Sequence, residues 1–247
     1  MGGSASREYI SKLGMPYRWI WEGYDVVDNG YFSAGAERVL ERQREYRDLA
    51  GLPRDYFLYV GRFSSEKNLI RLLEAYRRYR QQQPNAWGLV LVGDGPQREE
   101  VFRTVQSLGL EDVVCPGFKQ IEDLPLYYAL GSAFILPSTS EPWGLVVNEA
   151  MASGLPVLVS NRCGSAHDLV SQGNNGYTFD PYDVGDMAEC MRKLSDSGDA
   201  VRRAMSETSR EIIALYTPET WGKNLADCIK RTLERVNRSS APAKWSD

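Results

Sequence analysis

The chain is short of the residues that many mechanisms need. Its 247 residues include one histidine, His167, so any mechanism built on two histidines is excluded. Four cysteines, Cys115, Cys163, Cys190 and Cys228, lie far apart with no C-x-x-C pair, which signals neither a zinc site nor a disulfide framework and suits reduced thiols in a cytoplasmic protein. No apolar run approaches the roughly 20 residues of a membrane span, and the opening residues do not read as a secretory signal. An excess of basic residues is missing too: the net charge of -4 argues against a broad nucleic-acid footprint. Gly93-Asp94-Gly95 lacks the third glycine of a dinucleotide fingerprint, which discounts a nicotinamide or flavin site. Internal repeats and low-complexity blocks are also absent.

What is present suits a globular domain, with 43% hydrophobic and 25% charged residues and enough chain to bury a substantial core. Short apolar runs over 56–60, 87–92, 112–115, 133–136, 157–160 and 177–179 alternate with stretches of helical periodicity. That alternation predicts an α/β fold, a Rossmann-like doubly wound sheet of about six mainly parallel strands in the order 3-2-1-4-5-6, followed by C-terminal helices. Before it, residues 1–6 read as a flexible start, 7–13 as a short helix, 19–27 as an aromatic-rich strand, and 33–50 as one helix. Asp123 reads as the cap of a helix through residue 129. Beyond the last strand, three amphipathic helices are expected, over 184–194, 199–216 and 217–236, and then a loose tail over 237–247.

The stretch Ser138-Thr-Ser-Glu141-Pro-Trp143-Gly144-Leu145-Val146-Val-Asn-Glu149-Ala-Met-Ala-Ser-Gly154-Leu-Pro156-Val157 organises the rest. Pro142 and Gly144 cannot both sit inside one helix, so the segment reads as loop, then a helix from near Gly144, ended by Gly154 and Pro156. The unpaired N–H groups of Gly144, Leu145 and Val146 offer an anion site whose natural ligand is a phosphate. Glu149 falls about 7 Å further along the axis and Glu141 precedes the helix. Carboxylates would repel a phosphate, so both are placed to accept from neutral hydroxyls, and a molecule with hydroxyls on both sides of a phosphate group is a nucleotide sugar. Arg62 and Lys67, in Gly61-Arg62-x4-Lys67 at the carboxyl end of the first sheet strand, add a guanidinium fork and an ammonium point charge for a diphosphate. The arginines 71, 77, 78 and 80 read as the wet face of the next helix.

Glu141-x7-Glu149 with its Ala-Met-Ala-Ser-Gly-Leu-Pro-Val continuation resembles the E-x7-E signature of retaining GT-B glycosyltransferases of family 4 (group 1). The resemblance implies that Glu141 contacts the transferred sugar, Glu149 the ribose hydroxyls, and the amides of Gly144, Leu145 and Val146 the diphosphate. It implies that Gly61, Arg62 and Lys67 belong to the diphosphate loop, with Arg62, Lys67 and Glu141 serving catalysis, and that the loop Pro116-Gly117-Phe118-Lys119 lies against the nucleobase. Gly93-Asp94-Gly95-Pro96 resembles the nucleotide-side loop of that family, although a tight turn with proline at the helix start accounts for it equally well. Residues 163–176 resemble its G-G-x-x-E element, with Ser165 for the second glycine, Asp168 for glutamate, and His167 at a helix-start or surface position. Trp143 stands where phenylalanine is usual, a change of packing more than of chemistry.

Residues 26–32 resemble the family's interdomain hinge. On that reading 1–30 is a flexible start and hinge remnant, 31–236 the nucleotide-sugar-binding half of a GT-B fold, and 237–247 a tail. The donor is a substrate and no metal or other cofactor is expected. An acceptor-binding N-terminal domain would be missing or supplied by another chain, nucleic acid is not a partner, and membrane contact would come through that absent half. Two alternatives stay open: a non-catalytic nucleotide-sugar-binding module or donor subunit, and a plain nucleotide-binding Rossmann protein such as an oxidoreductase.

Overall fold

The computed structural model describes residues 2–239. Six strands, β1 (Tyr56–Val60), β2 (Gly88–Val92), β3 (Val113–Gly117), β4 (Ala133–Leu136), β5 (Val157–Ser160) and β6 (Gly176–Phe179), form one sheet in the order β3-β2-β1-β4-β5-β6. Every neighbouring pair is parallel. This is the expected doubly wound order, whose direction reverses between β1 and β4. The helices are α1 (Gly3–Lys12), α2 (Asn29–Leu40), α3 (Gln43–Ala50), α4 (Leu69–Gln82), α5 (Arg98–Ser107), α6 (Leu124–Leu130), α7 (Leu145–Ala152), α8 (Ala166–Leu169), α9 (Val184–Asp196), α10 (Asp199–Ile213) and α11 (Pro218–Ser239).

Strands β1, β2, β4 and β5 are buried along their whole length, which explains why they read as unbroken apolar runs: helices cover both faces of the sheet. Helix α4 packs against α5 and α9, whereas α2 packs against α6 and α7 and α10 against α7. Leu69, Leu72, Leu73, Tyr76 and Tyr79 form the buried stripe of α4. Arg71, Arg77 and Arg78 are exposed as expected, and Arg80 pairs with Asp112 at 2.6 Å. Asn68 fixes the start of α4: it sits in the left-handed region, and its buried amide donates to the carbonyls of Pro137 at 3.1 Å and Pro181 at 2.8 Å. One side chain thereby ties together the chain leaving β1, β4 and β6.

The N-terminal quarter differs from the sequence expectation. Residues 3–6 are not a flexible start but the first turn of α1, with Gly3 buried and the Ser4 N–H donating to Asp168 at 2.9 Å. Residues 19–27 do not form a strand; after a 3₁₀ turn at Tyr17–Trp19 the chain runs extended beside α11, where Asn224 donates to the Glu22 carbonyl and Arg235 lies over Trp19. Trp19 and Trp21 are half-buried there, whereas Tyr24 is exposed. The single helix expected over 33–50 starts earlier, where Asp28 caps α2 through the Tyr31 N–H, and breaks at Glu41 and Arg42, which leaves Leu40 and Leu49 exposed. Asp123 makes no side-chain cap; Pro125 in the first turn of α6 does without an amide partner instead. Helix α11 carries on through 237–239, into the expected tail, and the remainder of that tail lies outside the described residues.

Candidate functional site

The carboxyl ends of β1, β2 and β3 open into a cavity of about 440 Å³. Gly61, Arg62, Gly93 and Phe118 all line it, together with Asp94, Lys119 and Leu124. Phe118 is 65% exposed on its wall, and Arg62, also exposed, has no ion-pair partner among the described residues. Gly93 is glycine because of the protein's own backbone: a Cβ there would lie 1.8 Å from the Gly61 carbonyl oxygen. The two loops are interlocked further by the Phe63 N–H donating to the Asp94 carbonyl at 2.8 Å. Of the two explanations the sequence left open for this turn, tight packing is therefore sufficient.

On the other side of the topological reversal, the loops after β1 and β4 meet. Lys67 forms a close ion pair with Glu141, and both side chains are mostly buried, at 19% and 14% exposure. The backbone joins the same loops, with the Thr139 N–H donating to the Glu66 carbonyl at 2.8 Å. Glu141 is also held through its carbonyl, which accepts from Gly164 N–H at 2.9 Å in the loop after β5.

Helix α7 begins where the sequence placed it. Gly144 precedes it at φ 94°, and a Cβ at this position would crowd Leu136 at 2.9 Å and the Glu141 side chain at 3.3 Å. No side chain caps this end, so the amides of Leu145 and Val146 lack a capping partner and the positive end of the helix dipole is open next to Glu141. Leu145 is exposed and Val146 half-buried, and Gly154 closes the helix at φ 83°. Trp143 is buried, its ring centroid lies 6.0 Å from that of Tyr216, and its indole N–H donates to Asn148 at 2.9 Å. His167 is exposed on α8, a surface position.

Glu149 is half-buried within α7, and one of its oxygens accepts from the Tyr128 hydroxyl at 2.7 Å. Burial raises its pKa above the ordinary glutamate value, and the hydrogen bond from Tyr128 works in the opposite sense. The structure thus joins Gly61, Arg62, Gly93 and Phe118 around one cavity, and Lys67, Glu141 and Gly144 around the ion pair. Leu145, Val146 and Glu149 lie on α7, which Gly144 opens, and do not line the cavity. Tyr128 was not among the candidates, and Asp94 and Lys119 entered only as members of the Gly93–Pro96 and Pro116–Lys119 loops. Tyr128 looks like ordinary core in an apolar helix, and no spacing rule relates it to Glu149.

Compared with known proteins, residues 43–212 match the family described as Glycosyl transferases group 1. The chain is 32% identical over 192 residues to an alpha-D-kanosaminyltransferase of Streptomyces kanamyceticus, covering 75% of this chain and 48% of the relative. It spans about half or less of the length of the curated relatives it matches. An Anabaena protein crystallised with UDP superposes with a TM-score of 0.76 at 21% identity, over 92% of this chain and 62% of that one. The C-terminal domain of a group 1 glycosyl transferase from Francisella tularensis superposes with a TM-score of 0.62 at 22% identity, over 72% of this chain and 93% of that domain. These two likenesses concern the fold, which is one Rossmann-like half of a GT-B architecture. Among the described residues no helix is long and apolar enough to cross a membrane. The match over 43–212 establishes that this chain belongs to the group 1 glycosyl transferases.

Proposed function

We propose that this chain is the donor half of a retaining, family 4 glycosyltransferase that binds a nucleotide-diphospho-sugar and, with an acceptor-binding domain, transfers the sugar to an acceptor. The observation that supports this most is the convergence of Lys67, Glu141 and the uncapped start of α7 beside the loop that carries the free Arg62. A diphosphate brought to that point meets two cations and a helix dipole. All three stabilise the charge that builds on the leaving nucleotide diphosphate, so the proposal assigns this task to Arg62, Lys67 and the Leu145 and Val146 amides and needs no metal. In the ligand-free chain Glu141 neutralises Lys67; a diphosphate competes for the ammonium and frees the carboxylate to accept from a sugar hydroxyl. Glu149 accepts from the ribose, and the cavity bounded by Gly61, Gly93 and Phe118 receives the base. The four free cysteines suit a reducing, cytoplasmic setting.

The test is calorimetric titration with a panel of UDP-sugars, GDP-mannose and the free nucleoside diphosphates. We expect saturable binding to at least one, and Glu149→Ala should weaken it by roughly 10- to 100-fold, the value of a charged hydrogen bond. No binding across the panel, or an unchanged affinity in the variant, overturns the assignment.

A further inference from the structure

We propose that Tyr128 is a positioning residue for Glu149: its phenol fixes one carboxylate oxygen so that the other meets the ribose diol of the donor. This rests on the reading above that Glu149 receives the ribose, and it extends the discrimination between a ribose diol and its dideoxy counterpart to a supporting residue on a different helix.

The Tyr128 hydroxyl donates to Oε2 of Glu149 at 2.7 Å, from α6 to α7. Its ring has no exposed surface and is held edge-on by Phe32, with centroids 5.8 Å apart, and at a tilt by Phe134 at 6.2 Å. A ring so enclosed cannot follow a carboxylate that rotates, so the carboxylate is oriented by the phenol. The second oxygen, Oε1, makes no hydrogen bond and is not sealed from solvent among the described residues. The donor is neutral. A lysine in place of Tyr128 would orient Glu149 by neutralising it, as Lys67 does for Glu141, whereas a phenol leaves the full negative charge available to a sugar hydroxyl. If packing alone were required, phenylalanine would satisfy the same ring contacts without burying an oxygen.

Tyr128→Phe keeps the ring and removes the O–H. Calorimetry with UDP, GDP and their 2′,3′-dideoxy counterparts on the full chain reads the ratio of affinities for each ribo and dideoxy pair. We expect the wild-type chain to favour the ribo form by about tenfold or more. Glu149→Ala should collapse that ratio, and Tyr128→Phe should reduce it by several-fold while leaving dideoxy affinity unchanged. Adding Tyr128→Phe to Glu149→Ala should change nothing further. A ratio lost in Glu149→Ala but retained in Tyr128→Phe overturns the role of Tyr128 alone. A ratio retained in Glu149→Ala, or the absence of any nucleotide binding, removes the role of Glu149 and with it this assignment. Loss of ribo and dideoxy affinity in equal measure in Tyr128→Phe marks the tyrosine as structural and also overturns the proposal.

Discussion

Glu141 and Glu149 belong to one loop-helix unit, and the fold treats their charges in opposite ways. Glu141 is enclosed beside an ammonium supplied by a loop 74 residues away in sequence. Glu149 is enclosed with a neutral phenol as its hydrogen-bond donor, and its burial raises its pKa. A buried pair is coupled to stability, because removing one partner strands the other charge. A buried carboxylate held by a neutral group is a standing cost, tolerated where its charge has another use. In the ligand-free chain the first carboxylate is matched by a cation, whereas the second keeps one acceptor oxygen without a partner.

The largest effect that would break this contrast is on the pair. Lys67→Met leaves Glu141 enclosed without its cation, and we expect a loss of about 2 to 3 kcal/mol in urea unfolding. Replacing both partners, in Lys67→Met with Glu141→Leu, should return most of it. A single-variant loss below about 0.5 kcal/mol would place the pair with ordinary surface ion pairs and remove the distinction.

The sequence made the second region's backbone readable and left its chemistry hidden. The limits of α7 follow from local rules: Gly144 at its start, Gly154 in the left-handed region at its end, and Pro156 beyond. Strand order follows from the alternation of apolar runs and helical periodicity, since short crossovers allow few topologies. Side-chain meetings across the fold do not follow. Nothing local says that Lys67 reaches Glu141 or that Tyr128 reaches Glu149, because each pair joins separate elements. The aromatic stretch over 19–27 reads as a strand for a related reason: aromatic richness marks a partly covered segment without naming its partner, and here the chain runs beside α11 with Ile20 alone of 19–27 fully buried. The Gly93 turn was ambiguous because glycine there answers to Gly61, which is close in space and remote in sequence.

A smaller effect, of opposite sign, should appear at Glu149. Its folded-state pKa lies above the 4.5 of an unperturbed glutamate, so the folded chain binds that proton more tightly than the unfolded chain does. Ionised Glu149 therefore opposes folding at neutral pH, and the opposition fades as pH falls through the folded-state pKa toward 4.5. Glu149→Gln still accepts from Tyr128 and should be at least as stable as the wild type at pH 7, by on the order of 1 kcal/mol. That advantage should shrink in urea titrations at successively lower pH. A Gln variant less stable than wild type at pH 7 would mean that the carboxylate earns its place structurally, as Glu141 does.

The least effect on stability is expected at Arg62, which sharpens the contrast by belonging to neither case. It is exposed at the cavity mouth, pairs with no carboxylate among the described residues, and so has nothing to strand when it is removed. Arg62→Ala should leave urea unfolding within about 0.5 kcal/mol of wild type. The same variant should weaken nucleoside diphosphate binding by about tenfold, since a guanidinium facing phosphate contributes through charged hydrogen bonds made only with the ligand. The two readings must separate: affinity falls and stability holds. If both fell together, Arg62 would be part of the scaffold that Lys67 and Glu141 build, and the free cation would have to be sought elsewhere on the cavity wall, with Lys119 as the next residue to replace.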